Sequence, residues 1–142
     1  MEYELRDHTA DVAVAATGDT LEAVFAATAD GLAAASRDDE PPSDVGDRFS
    51  VSVTAEGREA LLFDYLDELI YLRDVRSELP VDNRVERIRR DDDGDERWTL
   101  EASARGIPLS EIVARDVKAV TYSEMRVERV GGGWEVYVVF DV

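Results

Sequence analysis

The chain has 142 residues, 44% of them hydrophobic, and no cysteine. That length suits one domain around one core, and that apolar fraction excludes a disordered chain. The absent thiols exclude disulfides, thiolate zinc sites and cysteine nucleophiles, so any bound metal must be held by oxygen, which favours Ca, Mg or Mn.

Acidic residues number 33 against 16 basic ones, a formal net charge of −17. Such a surface repels nucleic-acid phosphates unless a local basic patch intervenes. All the basic residues but Lys118 are Arg. Abundant Asp and Glu with almost no Lys is expected of a salt-rich cytoplasm, where ions screen the repulsion, and a halophilic archaeal source is the expectation. No apolar run approaches a membrane span, and Met1-Glu2-Tyr3-Glu4 lacks the regions of a signal peptide, so the expected location is cytoplasmic.

In chain order, Tyr3 to Arg6 reads as a first strand and Val12 to Ala16 as a second. The turn between them, Asp7 to Asp11, holds the only histidine, His8, and two carboxylates four positions apart. Asp-His-Thr is also ordinary turn material, because Asp and Thr side chains bond nearby backbone amides. Asp19-Thr20-Leu21-Glu22 resembles a capping box with Asp as the acceptor, and an amphipathic helix is expected over 20–36. Its alanines suit close packing on a sheet.

Asp38 to Ser43 reads as a loop. Phe49, Val51, Val53 and Ala55 alternate with polar residues, as in a half-buried strand. Leu61, Leu62, Tyr65, Leu66, Leu69, Ile70 and Leu72 predict a helix over 59–75, with Asp64, Asp67, Glu68 and Asp74 as its solvated face. Val81 to Arg90 and Arg97 to Ala104 are expected to form a hairpin. Its Asp91-to-Asp95 junction is a turn and not an EF-hand, because Arg89 stands where that pattern needs an acid. Ile107 to Asp116 reads as a connection with one helical turn at Ser110–Ala114.

Val117 to Val130 and Trp134 to Val142 are expected to form a final hairpin around three glycines. No Gly-Lys-Ser/Thr follows those glycines, so they form no phosphate loop. The apolar phase slips between Tyr122 and Met125, which predicts a bulge near Ser123. Trp134, Val136, Val138 and Phe140 share one face, and Asp141 must take the other. The expected fold is α+β: one domain over residues 1–142, two helices packed on a mostly antiparallel sheet.

Asp141 and the free carboxylate of Val142 would put two anionic groups side by side, and neighbouring carboxylates repel unless a cation or proton joins them. Asp11 supplies a third if the first and last strands meet, and three oxygen donors suit a hard divalent ion. A fraying, solvated terminus is the competing account. A free-standing metal-dependent phosphohydrolase could use the same acids, although only His8 offers a general base.

Four blocks of the chain together resemble the archease family. They are Asp7-His8-Thr9-Ala10-Asp11-Val12, the stretch from Leu61 to Leu72, Lys118-Ala119-Val120-Thr121-Tyr122, and Phe140-Asp141-Val142. They stand in family order from end to end. Many members have His after the Thr-Tyr pair, where this chain has Ser123. The resemblance implies a small α+β domain that is not itself an enzyme. It implies an accessory protein of an RtcB-type RNA ligase in tRNA splicing, promoting ligase guanylylation and multiple turnover. It also implies a metal site at Asp11 and Asp141, with Val142 as an extra donor, and functional roles for Asp7, His8 and Lys118. An acidic, metal-bearing rim suits a positively charged ligase cleft better than tRNA, so no direct specific nucleic-acid contact is expected.

Overall fold

A computed structural model describes residues 2–8, 11–37, 45–91, 97–112 and 114–142, the side chains of residues 6–8 excepted. The strands are β1 (Glu2–His8), β2 (Asp11–Gly18), β3 (Arg48–Ala55), β4 (Glu78–Asp91), β5 (Arg97–Pro108), β6 (Ala119–Val130) and β7 (Gly133–Asp141). The helices are α1 (Leu21–Ala35) and α2 (Arg58–Arg76), with a single 3-10 turn at Leu109–Glu111. All strand pairings are antiparallel, as expected, but the strands form two sheets rather than one: β1-β2-β7-β6 and β3-β5-β4.

The helices join the two sheets. α1 touches β1, β2 and β7 of the larger sheet and β4 of the smaller; α2 touches β6 and all three strands of the smaller. The core lies between, where Val14, Val138 and Phe140 meet Val24, Phe25, Leu61, Leu62 and Tyr65 at essentially zero exposure. Gly31 of α1 explains the close approach to β2: a Cβ there would come within 2.5 Å of a Val14 methyl.

Three local expectations need correction. The α1 N-cap is Thr20, whose hydroxyl accepts from Ala23 N at 3.0 Å, and not Asp19. Glu22 instead reaches across to accept from Ile88 N at 3.3 Å, so a tertiary bond replaces the local capping one. β5 runs on to Pro108, paired with Glu78, so part of the expected connection is strand, and the helical turn falls at Leu109–Glu111 rather than Ser110–Ala114. β1 includes Asp7 and His8, so those two residues are strand and not turn. The loop at 38–43 and the tip of the β4–β5 hairpin lie outside the described residues.

The bulge in β6 is where the phase slip placed it. Register is lost between Thr121 and Arg126, and Glu124 takes a left-handed φ of 62°. Five steps along β6 oppose two along β7, and such extra residues bend a strand and re-aim its side chains.

Candidate functional site

The register of the four-stranded sheet draws the ends of the chain into one row. β1–β2 pairing sets His8 opposite Asp11 and Asp7 opposite Val12. β2–β7 pairing sets Asp11 opposite Asp141, and β6–β7 pairing sets Asp141 opposite Ala119. Lys118 comes next, its N–H donating to the Asp141 carbonyl at 2.8 Å. The first and last strands do not pair directly; β2 lies between them.

Directly opposed residues of an antiparallel pair project to the same face, with Cβ atoms about 4.5–5.5 Å apart. Asp11 and Asp141 therefore share the face opposite Phe140, which is fully buried. Asp141 is exposed, as its phase predicted, and Asp11 is partly so. Val142 is 52% exposed beyond the end of β7. Among the described residues no three His, Asp or Glu side chains come together as a metal cluster. The two facing acids suit a hard divalent ion as a pair of oxygen ligands, an arrangement that leaves coordination positions open. The side chains of Asp7 and His8 lie outside the described residues, so only their strand positions bear on the site.

Lys118 is exposed, and the segment leading to it is held at three points. Arg115 N donates to Ser36 O at 2.9 Å, Arg73 Nη1 donates to Val117 O at 2.8 Å, and Lys118 N is bound as above. Arg73 matters most. It is 7% exposed, and its guanidinium also meets Asp74 at 3.1 Å and Asp116 at 3.6 Å. It thus ties the buried face of α2 to the backbone just before Lys118.

The sequence reading missed Arg73, although a signal was present. It follows Leu69 by four and Ile70 by three, so it lies on the apolar face of α2, where an arginine needs buried partners. A second polar cluster was also unforeseen. Asp30 Oδ1 accepts from Asn83 N and Nδ2, each at 3.0 Å. Burial pushes the Asp30 carboxyl above its usual range, while the bonds from Asn83 pull it down. The Tyr65 hydroxyl is buried with no partner among the described residues, and burial, with the Asp30 charge, drives its phenol upward.

Comparison with known proteins decides the family. The model of the Archease protein family (MTH1598/TM1083) matches residues 3–142. The chain belongs to the archease family. Protein archease of Methanosarcina mazei is 36% identical over 143 residues, covering 99% of this chain and 95% of the relative. Protein archease of Pyrococcus furiosus is 31% identical, covering 99% of each. Among solved structures, Methanobacterium thermoautotrophicum protein 1598 superposes with a TM-score of 0.75 at 28% identity, covering 99% of this chain and 98% of that one. An archease from Thermotoga maritima, described as a possible chaperone, gives a TM-score of 0.56 at 22% identity and supports the fold alone. No helix among the described residues is long and apolar enough to cross a membrane.

Proposed function

We propose that this archease is a cytoplasmic, non-enzymatic activator of an RtcB-type RNA ligase in tRNA splicing, promoting the ligase's guanylylation and repeated turnover. The observation that carries this is the row joining Asp11 to Asp141, with Lys118 bonded to the same strand end. Three residues that archease resemblance marks as functional come from distant parts of the chain, and sheet register brings them together. Asp11 and Asp141 would hold a divalent ion (Ca, Mg or Mn), which supplies a positive centre for phosphate oxygens when bound.

The chain's own residues do the rest. The paired acids present an anionic rim to a cationic ligase cleft, and Lys118 presents a compact ammonium beside them. Such a contact shifts the ligase toward guanylylation only by binding its competent state better than its idle one. Acidity elsewhere on the surface disfavours a direct role in gripping tRNA.

The test is ligase turnover with and without this protein in high KCl. Turnover should become multiple in its presence. Lys118→Arg should keep the fold but lose much of the stimulation, because a planar guanidinium does not reproduce an ammonium. Full stimulation by that variant would reduce Lys118 to a generic base. Phosphoester turnover by the purified chain alone would instead favour the hydrolase alternative.

A further inference from the structure

Where α2 meets β6, half-buried Phe63 stacks face to face with Tyr122 of β6, ring centroids 4.1 Å apart and planes 3° from parallel. Tyr122 is 54% exposed, just before the left-handed Glu124 of the bulge. The stack is therefore an aromatic platform whose Tyr122 ring is open to solvent and whose Phe63 ring is backed by the core. Burial first, and then the nearby Asp64 charge, raise the Tyr122 phenol, and burial followed by the Asp67 charge raises the Asp64 carboxyl. Both acids are exposed, and no base pairs with either among the described residues.

Elsewhere four rings of this chain carry its own arginines. Arg58 and Arg129 lie over Trp134, Arg76 over Phe49, Arg90 over Trp98 and Arg126 over Tyr137. The Phe63–Tyr122 platform has the ring and also the carboxylates that an arginine favours, yet no arginine among the described residues lies over it. The exposed face of α2 that carries Asp64 and Asp67 continues to Tyr71 and Val75, 58% and 61% exposed, while Arg73, on the buried face of the same helix, fixes the segment before Lys118.

We propose that the Phe63–Tyr122 platform, with Asp64 and Asp67, is a docking site for an arginine side chain of a partner protein, extending the partner contact along α2 from the Lys118 end. A guanidinium is suited to both needs, stacking on the ring while its N–H groups pair with a carboxylate. Binding energy at protein interfaces concentrates on a few residues, among which tyrosine, tryptophan and arginine are enriched. This rests on the partner being the RNA ligase of the proposed function, but the platform is testable without it.

Two measurements in 1 M KCl separate those claims. In the first, ligase affinity is measured for wild type, Tyr122→Ser, Tyr122→Phe and Asp64→Asn/Asp67→Asn. Tyr122→Ser and the double variant should weaken binding about tenfold, Tyr122→Phe should not, and divalent-ion affinity should hold throughout. Unchanged affinity of Tyr122→Ser would overturn the docking site. In the second, the ring resonances of Phe63 and Tyr122 are followed as a short peptide carrying two arginines is titrated in, with its lysine counterpart as control. Larger shifts at these rings than at the unstacked Tyr3 and Tyr71, and larger with arginine than lysine, support the platform. Equal shifts everywhere overturn it. If wild type fails to bind the ligase, the ligase assignment falls and this second measurement alone judges the platform. A dimer that Tyr122→Ser disperses would assign the surface to a second copy and overturn the partner assignment.

Discussion

Arg87 opposite Glu101 in the three-stranded sheet and Asp11 opposite Asp141 in the four-stranded sheet occupy the same kind of position, facing residues of an antiparallel pair. In the first, opposite charges meet at 3.0 Å. Nearby, Arg48 binds Asp82 at 2.6 Å and Ser103 at 2.9 Å, and Ser103 donates to Glu86 at 3.1 Å. Those charges are satisfied within the sheet. In the second, like charges face each other, an arrangement that costs stability unless a cation intervenes. Glu128 opposite Glu135 is another like pair, in a hollow that Arg126 also lines while lying over the Tyr137 ring. The comparison teaches that pairing geometry alone does not mark a site. What sets the Asp11–Asp141 row apart is its place at the strand ends beside the anchored Lys118, and the proposed partner contact rests on that juxtaposition.

The comparison breaks most directly at the acids, where the largest effect is expected. Asp11→Ala and Asp141→Ala should each fold normally, since both side chains face away from the core. Each should bind a divalent ion more weakly and lose ligase stimulation. If the two acids share one ion, the double variant should be scarcely worse than either single one, because the losses of coupled residues do not add. Calorimetric ion titration beside a guanylylation assay measures this. Additive losses, or unchanged ion affinity in both single variants, would sink the shared site.

Arg73 comes next. Arg73→Met keeps the apolar stem but removes the charged bond to the Val117 carbonyl, which is worth about 1.5–3 kcal/mol. Asp74 and Asp116 are largely solvated, so their loss adds little. Taking about 2–4 °C per kcal/mol for a chain near this size, the melting temperature should fall by roughly 3–12 °C. Ligase stimulation measured well below that melting point should fall too, while ion affinity at Asp11 and Asp141 stays. A destabilised variant with full stimulation would limit Arg73 to stability.

Much of this was legible in the sequence, and the gaps have physical reasons. Period and breakers located both helices and every strand, because the apolar faces of these elements repeat at their own periods. The outward phase of Asp141 followed from Phe140. The division into two sheets was not legible, because alternation marks a buried face without naming the partner strand. The convergence of Asp11, Asp141 and Lys118 depends on β2 pairing with β7, a long-range register that no local signal encodes. The Thr20 cap was missed because Glu22 takes a tertiary partner. Arg73 was missed because its buried partner is a backbone carbonyl, which side-chain patterns do not register.

Asp30 supplies a smaller, pH-dependent effect. Its carboxyl is raised in the fold, so the folded chain keeps that proton to higher pH than the unfolded chain does. Its favourable contribution is present below the ordinary carboxylate range, near 3.8, and is lost as pH rises through the raised value. Asp30→Asn can still accept both bonds from Asn83 and carries no charge. Its stability relative to wild type should therefore improve between pH 4 and pH 7. A difference that stays flat or falls over that range would contradict the role assigned to burial.

The smallest effect tests the opening comparison itself. A double-mutant cycle on Arg87→Ala and Glu101→Ala should give a stabilising coupling of about 0.2–1 kcal/mol, since both side chains are half exposed. The matching cycle on Asp11→Asn and Asp141→Asn, run with chelator so that no divalent ion bridges the pair, should give a coupling of opposite sign and similar or smaller size. Raising KCl from 0.1 to 1 M shortens the Debye length from about 10 Å to about 3 Å, and both couplings should shrink toward zero. The whole chain should meanwhile gain stability, because its net charge of −17 is screened at the same time. Adding a divalent ion should then reverse the sign of the Asp11–Asp141 coupling and leave the Arg87–Glu101 coupling unmoved. If the acid pair instead couples favourably with chelator present, something within the chain already joins the two acids and the row needs no external cation.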